Sequence, residues 1–246
     1  VLTIGPAAGS SRKVGTTVNP LAHSVSMNVS GVLVDMDGVL IDSTARDERC
    51  WLRWARFHGM EKEFSIKATH GRRGIDTLHN LRPDLDPIVE LNRLEYFDEE
   101  DGDCPAIYPG VREFLGQLEP KTWTIVSSAS ERLMRNRLRL AGFQAPLEVV
   151  SANRVTRGKP DPEPYQVGAA ILGLVPSQCL VIEDAPSGIE SGKAAGCKVL
   201  AVISSHSALE LAKADWIVPS LEHVHAIPQP DGSIVVQLTR TAESES

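Results

Sequence analysis

The sequence is poor in cysteine, and it has no long apolar run and no run of basic residues. Its four cysteines are far apart and form no CxxC pair, which favours reduced, buried thiols over a disulfide scaffold or a zinc site. No apolar stretch approaches the roughly 18 residues that a membrane-spanning helix needs. The formal net charge is -7, so neither nucleic acid nor an anionic membrane is an expected partner. We therefore expect a cytoplasmic protein, and a monomer.

What the sequence does contain is a regular alternation of short apolar runs and helical patterns. The predicted strands are 31–34, 123–126, 147–150, 179–182, 198–203 and 216–218. Strands that are apolar throughout are usually covered on both faces, as in a parallel sheet. Helical stretches that end at glycine separate most of these strands. The alternation predicts an α/β core with a doubly wound, Rossmann-like parallel sheet.

The segment 44–106 breaks this alternation, because it has no convincing buried strand and carries helical patterns at 47–58 and 87–99. We predict an all-helical cap domain inserted after the first strand. The α/β core would then consist of residues 28–43 and 107–240.

The two ends of the chain differ from the rest in composition. Residues 1–27 are rich in small and polar residues without a hydrophobic period. We expect them to be a disordered extension, with Met27 as the natural start, and we expect residues 241–246 to be a disordered tail. A turn at 230–232 followed by the apolar run 233–238 predicts an edge strand.

Acidic residues follow two of the predicted strands. Asp35 and Asp37 come directly after the first strand, and Glu183 and Asp184 end a later one. Ligands of open α/β sheets bind beyond the carboxyl ends of the strands, so these acids should meet there. Four carboxylates so close would repel one another without a cation, and oxygen ligands suit Mg²⁺. The sequence therefore predicts a magnesium site, with Asp37 contributing its backbone carbonyl.

Two further strand ends carry groups that suit a phosphate. Ser127 and Ser128 end one predicted strand, and Lys159 lies in a loop shortly after another. A hydroxyl and an ammonium group are what a magnesium site still needs to hold a phosphate. Each feature is common alone, but their combination and order predict a phosphate-processing site.

These residues resemble the four signature motifs of the haloacid dehalogenase superfamily. The matching segments are 35–40 (DMDGVL), Ser127, 158–162 (GKPDP) and 183–189 (EDAPSGI). The resemblance covers about residues 29–217, and the insertion is similar to the superfamily's helical type-one cap. Within the superfamily the chain is similar to small sugar- and polyol-phosphate phosphatases.

The resemblance implies a mechanism and a substrate class. Asp35 would attack phosphorus and form an aspartyl-phosphate. Asp37 would protonate the leaving group and then activate the water that hydrolyses the intermediate. Asp184 would bind Mg²⁺ directly, and Glu183 directly or through water. The substrate would be a small phosphorylated sugar or polyol.

The cap carries a further motif, at residues 70–73, that resembles the His-Gly-x-Arg of these phosphatases. The resemblance makes His70, Gly71 and Arg73 candidates for contact with the substrate, and Asp47, early in the first cap helix, is a fourth cap candidate. A cap of this kind closes over the site and excludes water.

Two alternatives remain open. Phosphosugar mutases of the β-phosphoglucomutase type resemble the chain almost as well, but they carry a His five residues after the position of Asp42, where this chain has Asp47. A non-catalytic protein that binds phosphorylated metabolites would be expected to have lost Asp35, Asp37 or Lys159, and all three are present.

Overall fold

The computed structural model describes residues 25–66, 69 and 71–239. The strands, in chain order, are β1 (Val25–Val29), β2 (Gly31–Val34), β3 (Ile41–Asp42), β4 (Ala106–Ile107), β5 (Trp123–Ile125), β6 (Cys179–Glu183), β7 (Lys198–Val202), β8 (Trp216–Val218), β9 (Val224–Pro228) and β10 (Ile234–Leu238). The helices are α1 (Thr44–Phe57), α2 (Gly74–Leu81), α3 (Pro87–Glu100), α4 (Val111–Gly116), α5 (Glu131–Leu140), α6 (Glu163–Ile171) and α7 (Pro186–Ala195).

The central sheet has five parallel strands in the order β5-β2-β6-β7-β8. Strand β2 enters first and pairs on one side with β5 and on the other with β6. The chain passes from β2 to β5 on one side and then crosses to β6 on the other side, and this reversal of direction at β2 opens a crevice beyond its carboxyl end. The predicted doubly wound core is confirmed.

Alternate residues of the central strands pack into different cores, which explains their continuous apolar pattern. In β2, Val32 and Val34 belong to one buried cluster, and Leu33 belongs to another. In β6, Leu180 joins the first cluster and Val181 the second. Because successive side chains of a strand point to opposite faces, both faces of this sheet are buried.

The inserted segment is helical, as predicted, and consists of α1, α2 and α3. Its own buried cluster is centred on Trp54, which is fully buried, and includes Leu78 and Phe97. The two-residue strands β3 and β4 pair antiparallel where the chain leaves and re-enters the core. Helix α2 was not predicted, since its sequence begins with glycine and has only a short apolar pattern.

Three sequence predictions about strands need correction. The run 147–150 is not a strand, since Val150 makes only an isolated bridge to Val126 and Leu147 is 87% exposed. Strand β10 is not an edge strand, because it lies between β1 and β9 in a separate antiparallel sheet. Residues 25–27 belong to β1, with Met27 buried in it, rather than to a disordered extension.

The remaining residues of the predicted extension, 1–24, and the predicted tail, 241–246, lie outside the described residues. Among the described residues, none of the helices combines the length and the apolar character that crossing a membrane requires.

The two-sided burial of β2 generates a prediction about stability. Leu33→Ala should lower the free energy of unfolding by about 2–5 kcal/mol, because it leaves a cavity in a fully buried site. Denaturant unfolding measures this loss. Leu147→Ala is the matched control, and its exposed side chain should change the free energy by less than about 0.5 kcal/mol. Similar losses in both variants would contradict the assignment of β2 to the core.

Candidate active site

The predicted site residues that follow β2 and β6 meet at one edge of the sheet. The amide of Asp35 donates to the carbonyl of Ile182 at 3.0 Å, which extends the β2–β6 pairing to the point where the acids begin. Asp35, Glu183 and Asp184 are all buried there, and each offers an oxygen within 4.8 Å of the others. The sheet alone therefore brings together three of the four predicted acids.

Gly38 allows the chain to turn sharply after Asp35 and Asp37. Its φ is +83°, a conformation that side chains rarely adopt, and a Cβ atom there would lie 1.9 Å from Oδ2 of Asp184. The turn is closed by a hydrogen bond from the amide of Gly38 to the carbonyl of Ile41. The glycine of the DMDGVL motif is thus required both by backbone conformation and by the closeness of Asp184.

Lys159 lies buried between two of these acids. Its Nζ donates to Asp35 Oδ1, to Glu183 Oε1 at 2.7 Å and to the carbonyl of Val126 at 3.0 Å. Burial alone would lower the pKa of Lys159, but the adjacent carboxylates of Asp35 and Glu183 raise it above its ordinary value. Lys159 is therefore an ammonium group at neutral pH, placed beside the predicted nucleophile.

Both carboxylate oxygens of Glu183 are engaged by groups of the protein. Oε1 accepts from Lys159 and from the hydroxyl of Tyr165 at 2.7 Å, and Oε2 accepts from the amides of Asp184 and Ala185 at 2.9 and 3.2 Å. Gly188 leaves room for this carboxylate, because a Cβ atom there would lie 1.7 Å from Oε1. Glu183 thus fixes Lys159, and of the two acids Asp184 is the better placed to bind a metal directly.

The charges of the cluster fit a divalent cation. Burial raises the pKa of Asp35 and the nearby ammonium group of Lys159 lowers it. The net pKa lies well above its ordinary value. Burial and then Glu183 raise the pKa of Asp184 to about 7. Three buried carboxylates face one ammonium group, so a divalent cation would neutralise the excess charge. Oxygen ligands of this kind suit Mg²⁺, and Asp35 and Asp184 are the side chains that would bind it.

Asp37 is held by groups outside this cluster. Its Oδ1 accepts from the hydroxyl of Ser43 at 2.5 Å and from Nη1 of Arg137 at 2.9 Å. Burial raises the pKa of Asp37, Arg137 lowers it, and the net pKa lies above the ordinary value. The predicted metal contact through the backbone carbonyl of Asp37 stays a prediction. Sequence reasoning missed Arg137, although an arginine on the apolar face of α5 was a possible signal.

The two serines after β5 have different surroundings. Ser127 is buried, and its Oγ accepts from the amide of Ala129 at 3.1 Å. Ser128 donates to the carbonyl of Gly71 in the cap at 3.0 Å and lines a cavity between cap and core. Their predicted contacts with phosphate stay predictions.

The cavity has a volume of about 120 Å³ and reaches Asp35 and Asp37. The cap contributes both polar and apolar lining residues. They include Asp47, Trp51, Arg72, Leu94, Glu95 and Asp98. The predicted nucleophile and carboxylates of the cap thus line the same cavity.

The cap motif is only partly directed at the cavity. Gly71 and Arg72 line it. Arg73, the predicted substrate residue, instead forms an ion pair with Asp76 at 2.7 Å and donates to the carbonyl of Val155 in the core at 2.9 Å. His70 lies outside the described residues. Arg73 therefore links the cap to the core in this structure, and a role in substrate binding stays a prediction for His70, Gly71 and Arg73.

The chain matches known proteins over most of its length. The family model described as haloacid dehalogenase-like hydrolase matches residues 29–196. Hexitol phosphatase A of Escherichia coli strain K12 is 38% identical over 216 residues, which cover 86% of this chain and all of that protein. Glycerol-1-phosphate phosphohydrolase 2 of Saccharomyces cerevisiae is 31% identical, covering 78% and 80%. The crystal structure of β-phosphoglucomutase from Clostridium difficile has a TM-score of 0.66 at 20% identity, covering 78% and 92%, and shows the fold alone.

The raised pKa of Asp184 generates a prediction about metal binding. Between its ordinary value of 3.8 and about 7, the metal-free folded chain holds a proton on Asp184 that the unfolded chain has lost. This contribution to the stability of the metal-free protein therefore falls as pH rises through that window. Because a cation must displace the proton, Mg²⁺ should raise the thermal midpoint more at about pH 8 than at about pH 5.

Thermal unfolding with Mg²⁺ and with EDTA at both pH values measures this difference. Asp184→Asn should reduce the Mg²⁺-dependent shift at both pH values, whereas Asp231→Asn, in an exposed turn, should leave it unchanged. An equal shift in wild type and Asp184→Asn would contradict the assignment of Asp184 as a ligand.

Proposed function

Because the chain belongs to the haloacid dehalogenase-like hydrolases, we propose that it is a Mg²⁺-dependent phosphatase of a small sugar or polyol phosphate that works through an aspartyl-phosphate on Asp35. That it is a phosphatase follows from its relatives. The observation that supports the Mg²⁺ dependence and the aspartyl-phosphate on Asp35 is the buried contact of Lys159 with Asp35, beside Glu183 and Asp184.

In the first step a carboxylate oxygen of Asp35 attacks phosphorus. Lys159 neutralises part of the charge on Asp35 and can hold a phosphoryl oxygen as the substrate arrives. The bond between phosphorus and the leaving oxygen breaks, and Asp37 gives its proton to that oxygen. The raised pKa of Asp37 supports this role, because the carboxyl must carry a proton when the substrate binds.

In the second step Asp37, now a carboxylate, accepts a proton from the water that attacks the aspartyl-phosphate. The bond between Asp35 and phosphorus breaks, and inorganic phosphate and the Asp35 carboxylate are released. Ser127 and Ser128 follow β5 at the same edge of the sheet, where they could hold phosphoryl oxygens. When bound by Asp35 and Asp184, Mg²⁺ would supply the positive charge that lets the anionic substrate approach three carboxylates.

The lining of the cavity supports a hydroxyl-rich leaving group. Carboxylates of Asp47, Glu95 and Asp98 face it together with Arg72, and carboxylates accept hydrogen bonds from sugar or polyol hydroxyls. Two relatives are named for hexitol and for glycerol 1-phosphate. We therefore propose a polyol or sugar phosphate as the substrate class.

A phosphosugar mutase is the second candidate, because a mutase shares the fold. Asp47 occupies the position at which mutases carry a His, and its carboxylate accepts from Nη2 of Arg137. A carboxylate held by Arg137 therefore stands where a mutase has an imidazole, which favours hydrolysis over transfer.

Phosphate release from a panel of sugar and polyol phosphates, with Mg²⁺ and with EDTA, tests the proposal. We expect release with Mg²⁺ and none with EDTA. Asp35→Asn should abolish turnover, because an amide cannot act as the nucleophile, without a change in the thermal midpoint larger than a few degrees. Conversion of glucose 1-phosphate to glucose 6-phosphate without phosphate release would favour the mutase. Tight binding without any turnover would indicate a non-catalytic binding protein.

The positions of the two cap arginines predict different effects of their removal. Arg72→Ala should raise KM for a polyol phosphate about 10-fold, a loss of about 1.4 kcal/mol of binding energy, since Arg72 lines the cavity. KM for p-nitrophenyl phosphate, which needs fewer cap contacts, should change less. Arg73→Ala should weaken turnover of both substrates alike, because Arg73 ties the cap to the core. Steady-state kinetics on both substrates measure these effects. A larger loss on the polyol phosphate than on p-nitrophenyl phosphate for Arg73→Ala, and not for Arg72→Ala, would contradict the prediction.

A further inference from the structure

Arg137 is a buried charged residue that the proposed mechanism does not use. It lies on α5, on the helix face that also buries Met134 and Leu138, and its side chain is 3% exposed. Burying a guanidinium group is costly unless carboxylates surround it. Its contacts must therefore be accounted for, and all of its carboxylate partners line the cavity.

Three carboxylates from three separate elements surround Arg137. Nη1 donates to Asp37 Oδ1 at 2.9 Å, Nε and Nη2 donate to Asp98 Oδ1 at 3.0 and 2.7 Å, and Nη2 also donates to Asp47. Asp37 belongs to the loop after β2, whereas Asp47 and Asp98 lie on α1 and α3 of the cap. Arg137 thus joins the predicted acid–base residue to both long helices of the cap.

The cap side of this cluster is itself fixed. The carboxylate of Asp98 is 2% exposed and also accepts from Nε of Arg46 at 2.8 Å. Arg46, on α1, donates in addition to the backbone carbonyls of Asp98 and Asp103. The carboxylate that meets Arg137 therefore has a set position whenever the cap helices are packed against each other.

The same contacts determine which oxygen of Asp37 is available for chemistry. Ser43 and Arg137 both donate to Oδ1. A carboxylic acid accepts hydrogen bonds at its carbonyl oxygen and donates from its hydroxyl. The proton that Asp37 gives or takes must then reside on Oδ2, and Ser43 and Arg137 set the direction in which it points.

We propose that Arg137 is a positioning residue that aligns Asp37 for both proton transfers, and that the cap completes this alignment by supplying Asp47 and Asp98. The proposal rests on the proposed function. It assigns a part of the acid–base apparatus to the contact between cap and core, so that Asp37 is held in its working position when the cap is docked.

The test uses the full chain and the variants Arg137→Met and Arg137→Lys, with Arg139→Met as the matched control. Arg139 lies on the same helix, is exposed, and donates to Asn136. For a polyol phosphate, Arg137→Met should lower kcat about 100-fold, within the range of general acid–base effects, while KM changes less than about 3-fold. Arg137→Lys should recover part of kcat, because it keeps the charge without the forked geometry. Arg139→Met should behave as wild type.

A second measurement distinguishes a positioning role of Arg137 from a purely structural contact between cap and core. The p-nitrophenolate group leaves without a proton, so Arg137→Met should still phosphorylate Asp35 quickly with p-nitrophenyl phosphate. Hydrolysis of the aspartyl-phosphate still needs Asp37. Stopped-flow measurements should therefore show a burst approaching one p-nitrophenolate per enzyme, followed by slow turnover.

If Arg137→Met does not fold, Asp47→Asn replaces it, since this change removes the negative charge of one cap partner and keeps the side-chain shape. It should lower kcat for the polyol phosphate about 10-fold, with the same burst. Two results would overturn the role of Arg137 while leaving the proposed function intact. One is a wild-type kcat in these variants, and the other is an equal loss of kcat on both substrates without a burst. Absence of phosphate release by the wild-type chain would overturn the proposed function and, with it, this role.

Discussion

The buried ammonium group of Lys159 is the interaction on which the candidate site depends. It joins Asp35 at the end of β2 to Glu183 at the end of β6, and without it two carboxylates would be buried without a positive charge. The parallel pairing of β2 and β6 places the two acids at the same level, and Tyr165 and two backbone amides hold Glu183 in place. The proposed nucleophile, Asp35, is thus positioned by groups of the α/β core.

The backbone is constrained by this packing of charge. A side chain at Gly38 or at Gly188 would collide with Asp184 or with Glu183, respectively. Both glycines belong to segments that identify the family, 35–40 and 183–189. Their presence has a steric cause, since the chain passes within contact distance of carboxylates that cannot move without leaving Lys159 or the proposed metal position. The motifs therefore reflect packing as much as chemistry.

Much of the fold and of the candidate site was predictable from the sequence, because these features depend on local sequence patterns. Apolar runs predicted the sheet, and the family was predictable from four motifs and is confirmed by the comparisons. Features that depend on contacts between distant parts of the chain were not predictable. Strand β10 lies inside a second sheet because β1 and β9 flank it. Arg73 contacts Val155, and Arg137 contacts Asp37 across 100 positions of the chain, which no local pattern encodes.

The two aspartates of the first motif differ in what holds them, although they are only two residues apart. Asp35 is paired with Lys159 of the core, so its environment is complete without the cap. Asp37 is paired with Arg137, whose two other carboxylate partners, Asp47 and Asp98, come from the cap. If the cap moved away, Arg137 would lose two of three counter-charges, and its geometry toward Asp37 would loosen. In the proposed mechanism, attack on phosphorus and transfer of the proton therefore depend on different domains, and only the docked cap brings both requirements together.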